Sequence, residues 1–422
     1  MLKEKNVVTN TPGHSRVIQI QDGIVGPREP RLRSVKPKKI SDYPGVPAPY
    51  LAVAKMYSSP LLMGPPLCDE LVALVEHIYT EEEASLIRHL RAFPGKTAAA
   101  VAAASHRPVE EVRPILERLA FEKFVLFSSD TGDKERYYLL PLMPGAFEAV
   151  LMRTSLDTLT DWHRRFAELM EALYETGYFV DYAQHPASTV RYLPVGETIE
   201  AHPMALPSDR LEEVLDPYKV FAVGLCQCRM TQEIVGRGCG RSLENCVGFG
   251  DAAEILIRHD KMRQVEKREI LEIKAEAAAA GMPSFIIEIK LGKSNSGASC
   301  SCCGCCCGAL RTISEFNMPG LIAPPHFIPK VDLTKCTYCA RCAQACPMGA
   351  MVVDVKGKSY RHLTERCIGC GLCAVACDKQ HAIQMEPTPQ YREPPKSLLP
   401  ALLQTLPNYL RNAWSVWRKY RG

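Results

Sequence analysis

The sequence predicts a multidomain protein of the α+β class. Three observations support this prediction: a duplicated cysteine motif near the C-terminus, a second cysteine-rich stretch in the middle of the chain, and helical patterns followed by a strand pair towards the N-terminus. At 422 residues the chain is long enough for roughly two to four domains, each with an ordinary hydrophobic core.

The duplicated motif has the spacing of iron–sulfur ligands. Residues 336–347 read CTYCARCAQACP, and residues 367–378 read CIGCGLCAVACD. Both are C-x2-C-x2-C-x3-C, and each cysteine of the second copy lies 31 residues after its counterpart. A 4Fe-4S cluster has four irons that each accept one thiolate, and three closely spaced cysteines on a tight loop can supply three of them. The duplication therefore predicts two 4Fe-4S clusters.

The ligands of the two clusters follow from the two-cluster arrangement, in which the fourth cysteine of each motif ligates the other cluster. The first cluster is assigned to Cys336, Cys339, Cys342 and Cys377. The second is assigned to Cys346, Cys367, Cys370 and Cys373. A pair of four-cysteine zinc sites is the alternative, but zinc modules rarely show this doubled spacing.

This stretch resembles the bacterial-type two-cluster ferredoxins over roughly 60 residues. The resemblance is carried by both cysteine motifs, Pro347, Gly349-Ala350 and the run CIGCGLC. The sequence departs from the family at Asp378, where proline is usual after the last cysteine. The resemblance implies a ferredoxin-like dicluster domain over residues 326–388 that relays single electrons.

The same resemblance implies a protein redox partner, an oxidoreductase or a flavoprotein. Between Lys330 and Lys379 there are eight Lys/Arg and four Asp/Glu, which suggests an acidic docking face on that partner. A solvated surface of mixed charge is the alternative interpretation. We find no G-x-G-x-x-G dinucleotide fingerprint, so a flavin or nicotinamide is expected on the partner.

Ten further cysteines lie in the middle of the chain, in two groups. The first group is Cys226, Cys228, Cys239 and Cys246, after the strand-like run VFAVG. The second is the run CSCCGCCCG, which contains Cys300, Cys302, Cys303, Cys305, Cys306 and Cys307. The spacer DAAEILIRHD…EKREILEIKAEAAAAG has a helical pattern with Gly281 as its stop, so it could fold back and bring the groups together.

The second group cannot serve one metal centre as a whole, because consecutive cysteines in an extended loop point to opposite sides. We expect a further iron–sulfur cluster here, and a zinc site and an unmetallated thiol cluster or relay are alternatives. The candidate ligands are Cys226, Cys228, Cys239, Cys246, Cys302, Cys303, Cys305 and Cys306. On CQCR, GCGRSLENC with the following FG, and CCGCCC, residues 226–325 resemble a cysteine-rich α/β module that precedes dicluster domains in larger ferredoxin-like proteins of anaerobes.

The front of the chain is predicted to be a proline-rich extended arm over residues 1–66 and a domain over residues 67–155. In the latter, Thr80 and Glu83 form a capping box, helices follow, and a hairpin turns near Asp130 to Asp133. Helix, helix, helix, hairpin resembles a winged helix.

A winged helix usually suggests DNA binding, but the charge pattern argues against that use. Between Arg107 and Lys123 four Lys/Arg face four Glu, and Pro114 lies inside the expected recognition helix. We expect protein docking instead, and a redox-sensing transcriptional regulator is the alternative function. An enzyme with an open iron in the cysteine-rich region is a third hypothesis. Cys68 is interpreted as a core residue.

The remaining segments are a helical linker over residues 156–225 and an amphipathic tail over residues 389–422. Leu410, Trp414 and Trp417 form a stripe in the tail, which favours docking on a partner or on the chain itself, and peripheral membrane contact is the alternative. The opening MLKEKNVVTN lacks an apolar signal region and no run reaches spanning length, so we expect a cytoplasmic protein.

Overall fold

The computed structural model describes residues 16–91, 94–128, 135–185, 190–291, 294–389, 391–393 and 398–420. The chain divides into two compact units. Met1–Arg31 and Ala183–Tyr409 form the first, which we call the cysteine unit. Leu32–Tyr182 and Leu410–Gly422 form the second, which we call the helical unit.

The strands of the described residues are, in chain order, β1 (Ile18–Gln21), β2 (Ile24–Pro27), β3 (Leu126–Ser128), β4 (Tyr137–Leu139), β5 (Arg191–Leu193), β6 (Phe221–Leu225), β7 (Glu244–Gly250), β8 (Arg263–Val265), β9 (Ser284–Leu291), β10 (Ser294–Cys300), β11 (Phe327–Val331), β12 (Met351–Asp354), β13 (Ser359–His362) and β14 (Ile383–Pro387).

The α-helices are α1 (Ala48–Tyr57), α2 (Asp69–Ile78), α3 (Glu81–Ile87), α4 (Ala98–Ser105), α5 (Val109–Phe121), α6 (Phe147–Leu151), α7 (Asp161–Glu175), α8 (Leu211–Leu215), α9 (Gln227–Ile234), α10 (Asp251–Arg258), α11 (Lys267–Ala279), α12 (Gly308–Ser314), α13 (Arg341–Ala345), α14 (Leu372–Val375) and α15 (Leu398–Tyr420). Within these residues no helix combines the length and the apolar character needed to cross a membrane.

The helical unit has the predicted order of helices followed by a hairpin. The capping box at the start of α3 is confirmed: Thr80 Oγ1 accepts from Glu83 N at 3.2 Å, and the Glu83 carboxylate accepts from Thr80 N at 2.8 Å. Helix α5 continues through Pro114, and β3 pairs antiparallel with β4. The predicted hairpin turn at residues 130–133 lies outside the described residues. The winged-helix assignment stays a prediction.

Two predicted segment boundaries differ from the structure. Part of the arm predicted over residues 1–66 is folded: β1 and β2 form a hairpin in the cysteine unit, and α1 buries Leu51, Val53 and Tyr57 in the helical unit. The linker predicted over residues 156–225 is divided, because α7 belongs to the helical unit while β5 and β6 join a sheet of the cysteine unit. Periodicity reports the local conformation of such short stretches but not which distant elements they pack against.

A six-stranded antiparallel sheet organises the middle of the chain, in the order β5-β9-β10-β7-β6-β8. The strand predicted at VFAVG is confirmed, because four of these five residues form β6 with Leu225, and those four are buried. Helix α9 begins at once after β6, with Cys226 as its N-cap. Helix α11 ends at Ala279 and is followed by Gly281 at φ +74°, as predicted.

The C-terminal part of the cysteine unit is built from two antiparallel strand pairs and two short helices. Strand β11 pairs with β14, and β12 pairs with β13. The N-terminal hairpin extends the second pair into a sheet of order β1-β2-β12-β13. Helices α13 and α14 each connect one cysteine motif to its fourth cysteine, so this part of the fold positions the predicted cluster ligands.

Candidate metal centres

The two cysteine motifs bend at equivalent positions. Tyr338 (φ +55°) and Ala340 (φ +60°) in the first copy correspond to Gly369 (φ +68°) and Gly371 (φ +76°) in the second. Left-handed backbone is the conformation that glycine adopts most readily. A Cβ on Gly369 would lie 2.3 Å from the carbonyl oxygen of Phe327, so the second copy has no room for the side chain that the first copy carries.

Each bend closes a loop around a small cavity. The first cavity is lined by Cys336, Cys339, Cys342 and Cys377, which we call set 1. The second is lined by Cys346, Cys367, Cys370 and Cys373, which we call set 2. The structure therefore brings together the same two groups that the spacing predicts, with the fourth cysteines exchanged between the motifs.

Backbone groups donate to these sulfur atoms, and burial makes ionisation of the thiols depend on a bound cation. Backbone N–H groups donate to sulfur: Tyr338 N lies 3.4 Å from Cys336 Sγ, and Ala350 N lies 3.2 Å from Cys346 Sγ. Burial raises the pKa of Cys342 to about 12. Such a buried thiol ionises near neutral pH only when a cation binds it, which is what a metal centre provides.

Asp378, the departure from the ferredoxin pattern, is paired. The Arg341 guanidinium donates to Asp378 Oδ1 at 2.6 Å and to Gln380 Oε1 at 3.0 Å. Burial raises the pKa of Cys339, but hydrogen bonds from the backbone and side chain of Arg341 outweigh burial, and the net shift is downward. The extra carboxylate beside set 1 is thus balanced by a cation that also interacts with one of its thiols.

The cysteine-rich region contains a compact thiol group that we call set 3. Its four sulfur atoms all lie within 4.8 Å of one another and are all buried: Cys239, Cys303, Cys305 and Cys306. The Sγ atoms of Cys239 and Cys303 are 4.0 Å apart, and those of Cys305 and Cys306 are 3.7 Å apart. The predicted fold-back of the helical spacer is confirmed, because Cys239 belongs to the first cysteine group and the others to the second.

Two guanidinium groups donate to set 3. Arg16 Nη2 lies 3.6 Å from Cys306 Sγ, and Arg241 Nη1 lies 3.7 Å from Cys305 Sγ. Arg16 is itself held by Gln232 Oε1 at 2.9 Å and by the carbonyl of Arg237 at 2.6 Å. Fixed donors of this kind favour the thiolate form of the sulfurs they contact.

Four other thiols form a looser group, set 4. Its members are Cys226, Cys228, Cys302 and Cys307, in which Cys228 contacts Cys226 and Cys307, and Cys307 also contacts Cys302. The backbone N–H of Gly308 donates to Cys228 Sγ at 3.5 Å. Cys307 was not among the candidate ligands, because nothing in the linear spacing separates it from its neighbour in the run.

The two remaining thiols of the region form a pair, and one of them, Cys246, is a predicted ligand that the structure places elsewhere. Cys246 and Cys300 are cross-strand partners on β7 and β10, with their sulfurs 3.7 Å apart. Cys246 therefore joins neither four-thiol group, although its spacing made it a candidate ligand. The run also does not form an extended loop: Cys306 N and Cys307 N both donate to the carbonyl of Cys303, and this turn brings three thiols into set 3.

Two buried cations lie among these thiols. Arg229 is 1% exposed, and among the described residues its Nε and Nη2 atoms have no hydrogen-bond partner. Lys274 is 4% exposed, its Nζ likewise lacks a partner there, and burial lowers its pKa to about 8. A buried charge is costly without an opposite charge, and ionised sulfurs are the nearest source of one.

The cysteine run packs directly on the dicluster region. A Cβ added to Gly304 would lie 1.8 Å from the carbonyl oxygen of Pro347, the residue after Cys346. Buried Arg366 donates to the carbonyl of Met348 at 2.9 Å and to Asn317 Oδ1 at 2.8 Å. A cavity of about 850 Å³ beside this contact is lined both by the cysteine run and by residues of the dicluster region.

Residues 328–378 match the family described as "4Fe-4S dicluster domain", so this segment is a domain of that class. Two relatives each match a short stretch of the chain. The electron transport protein HydN of Escherichia coli (strain K12) is 38% identical over 68 residues, which are 13% of this chain and 37% of HydN. An uncharacterised ferredoxin of Methanocaldococcus jannaschii is 41% identical over 49 residues, which are 11% of this chain and 64% of that ferredoxin.

These matches are local. The chain spans less than two thirds of the length of either relative, and no solved structure matches it. Because the family match covers residues 328–378, the helical unit and the cysteine-rich region are interpreted from their own residues.

Proposed function

We propose that the protein relays single electrons through two 4Fe-4S clusters to or from a protein redox partner, an oxidoreductase or a flavoprotein. Set 1 holds one cluster and set 2 holds the other. The observation that supports this most directly is the pair of cavities, each lined by three cysteines of one motif and the fourth of the other. The similarity to an electron transport protein and to a ferredoxin also supports the proposal.

The short helices support a side-by-side arrangement of the two proposed clusters. Cys342 of set 1 lies in the first turn of α13 and Cys346 of set 2 follows its last residue, and Cys373 and Cys377 lie within and after α14 in the same way. Four residues of helix rise about 6 Å, so an electron that arrives at one cluster has a short path to the other. Because each motif gives its fourth cysteine to the other cluster, the two proposed clusters lie close together although they share no ligand.

Iron and acid-labile sulfide analysis of anaerobically purified protein, with EPR spectroscopy after reduction, tests this function. Cys342→Ser should remove one cluster and Cys373→Ser the other, with about four irons and four sulfides lost each time. Cys68→Ala, at a buried position in the helical unit, is the matched control and should leave the iron content unchanged. Zinc in place of iron in sets 1 and 2 would refute the proposal.

We propose that the partner docks on the exposed apolar face of α15. Leu410, Trp414 and Trp417, in the part of α15 that belongs to the helical unit, follow helical spacing and are between 45% and 58% exposed. Lys419 pairs with Asp181 at 2.7 Å, so one basic side chain of the tail is already engaged within the helical unit. Peripheral membrane contact is the alternative, and Trp414→Ala should then reduce co-sedimentation with anionic vesicles.

Nucleic acid binding has less support. Near α5, Arg107 pairs with Glu82 at 2.8 Å and Lys123 with Glu83 at 2.7 Å, and Arg118 also reaches Glu83, at 3.0 Å. Cations neutralised by glutamates offer little to a phosphate backbone. Salt-dependent DNA binding that changes with oxidation would favour the redox-sensing regulator instead.

We propose further that at least one additional metal centre lies within residues 226–307, in the sets 3 and 4 described above. All nineteen cysteines lie within the described residues, and none of them forms a disulfide there.

Because unpaired cysteines at this density are typical of proteins in a reducing compartment, we propose a cytoplasmic location. Localisation of a tagged chain by cell fractionation tests this assignment.

A further inference from the structure

We propose that set 3, made of Cys239, Cys303, Cys305 and Cys306, binds a single thiophilic metal ion in tetrahedral geometry rather than a further 4Fe-4S cluster. This inference rests on the proposed additional centre in residues 226–307 and names the kind of centre at one place. It is independent of the two clusters proposed for sets 1 and 2.

The separations of the sulfur atoms carry the argument. Four thiolates at about 2.3 Å from one zinc-sized ion stand about 3.8 Å from one another in a regular tetrahedron. The two separations recorded in set 3 are 4.0 Å and 3.7 Å, and no pair in the set exceeds 4.8 Å. A cubane cluster instead carries each thiolate on a different iron, which requires wider spacing.

The same chain contains an internal comparison. Among the described residues, set 3 is the one group of three or more possible ligands whose ligand atoms all lie within 4.8 Å of each other. Sets 1 and 2 do not meet this criterion and instead line two small cavities. The chain thus spaces its thiols around a cavity at two places and draws them together at the third.

The charge around set 3 also fits a bound ion. Four thiolates and one divalent cation carry a net charge of about −2. Arg16 and Arg241 each donate to one of the sulfurs and supply two positive charges. Donors in contact with ligating sulfur orient the ligands and tune the metal.

Four thiolates in tetrahedral geometry favour zinc or a single iron. Four protein thiolates leave no open coordination position, so the centre does not bind substrate. Its place in the fold is informative, because Gly304, which lies between Cys303 and Cys305 in the chain, packs against Pro347, beside Cys346 of set 2. Zinc would fix the run against the dicluster domain, and iron would add a one-electron centre next to it.

The experiment is metal and sulfide analysis of the full chain, purified anaerobically, beside Cys305→Ser and the control Cys246→Ser. We expect Cys305→Ser to lose one equivalent of zinc or of sulfide-free iron, with the sulfide content unchanged. The control, whose thiol lies outside set 3, should retain it. Which metal is lost distinguishes the two ions, and cobalt(II) substitution should give the absorption of a tetrahedral thiolate complex in the wild-type chain.

Loss of about four irons together with four sulfides in Cys305→Ser would overturn the inference in favour of a cluster, as would a wild-type chain whose set 3 thiols react freely without any metal. Failure of the two-cluster proposal would appear elsewhere, in Cys342→Ser and Cys373→Ser. If Cys305→Ser does not fold, Arg241→Gln keeps all four thiols and should speed metal release to a chelator by about 10-fold or more. Arg268→Gln, at an exposed position, is its control, and equal release rates would count against the site.

Discussion

Gly304 of the cysteine run lies against the carbonyl oxygen of Pro347, with only 1.8 Å available for a Cβ. This contact joins the cysteine-rich region to the loop that carries Cys346. Gly304→Ala should therefore push the two apart and destabilise the cysteine unit by about 1–3 kcal/mol, the usual cost of overpacking. The absorbance of the clusters should then be lost faster in denaturant than in the wild-type chain.

A matched control for that substitution is Gly196→Ala. Gly196 belongs to the same unit, and an added Cβ there meets nothing within 4 Å. Equal rates of cluster loss in the two variants would show that the contact between the run and the dicluster loop is not close.

Arg341 and Asp378 should tune the cluster bound by set 1. Arg341→Gln removes a cation beside Cys339 and leaves Asp378 unpaired, so the reduced, more negative cluster is disfavoured and its potential falls, by on the order of 10–40 mV. Asp378→Asn should shift the potential in the opposite direction. Redox titration followed by EPR measures both, and shifts of the same sign would contradict the pairing.

Arg366 should be a structural link between the two cysteine-containing regions. It is 3% exposed and donates to the Met348 carbonyl and to Asn317. Arg366→Gln leaves these acceptors without their donor and should destabilise the cysteine unit by about 3 kcal/mol. Chemical denaturation under anaerobic conditions measures the loss, and Arg361→Gln, at an exposed position on β13, should change it little.

Glu83 should hold the helical unit together in a pH-dependent way. Burial raises its pKa, but hydrogen bonds and charge from Lys123, Thr80 and Arg118 outweigh burial, so its pKa is lowered. A carboxyl with a lowered pKa stabilises the folded state above its unfolded pKa, and this stability is lost as the pH falls through the folded value. Glu83→Gln should cost about 3 kcal/mol near neutral pH and flatten this acid dependence.

Hydrogen exchange of the helical-unit amides in the full chain, measured by mass spectrometry across pH, tests this prediction. The control is Glu82→Gln, because Glu82 is an exposed neighbour whose ion pair with Arg107 contributes little. An acid dependence of the same slope in wild type and Glu83→Gln would contradict the role of the buried carboxylate.

The cysteine spacing alone predicted the two groups of candidate ligands in the dicluster domain. Three cysteines of each group share one tight loop, the fourth is expected from the other copy of the duplicated motif, and in the structure the same groups line two cavities. Local signals also predicted the capping box at Thr80, the strand before Cys226 and the helix stop at Gly281, because each depends on residues close together in the chain.

The division of the ten thiols in the cysteine-rich region depends on long-range contacts. The antiparallel register of β10 on β7 sets Cys300 opposite Cys246 and withdraws both from the four-thiol groups. The turn that begins at Cys303 brings Cys305 and Cys306 close to it in set 3. Cys302 and Cys307 instead lie near the N-terminus of α9. These partners lie far apart in sequence, and their meeting depends on strand register and helix packing, which the spacing of cysteines along the chain does not contain.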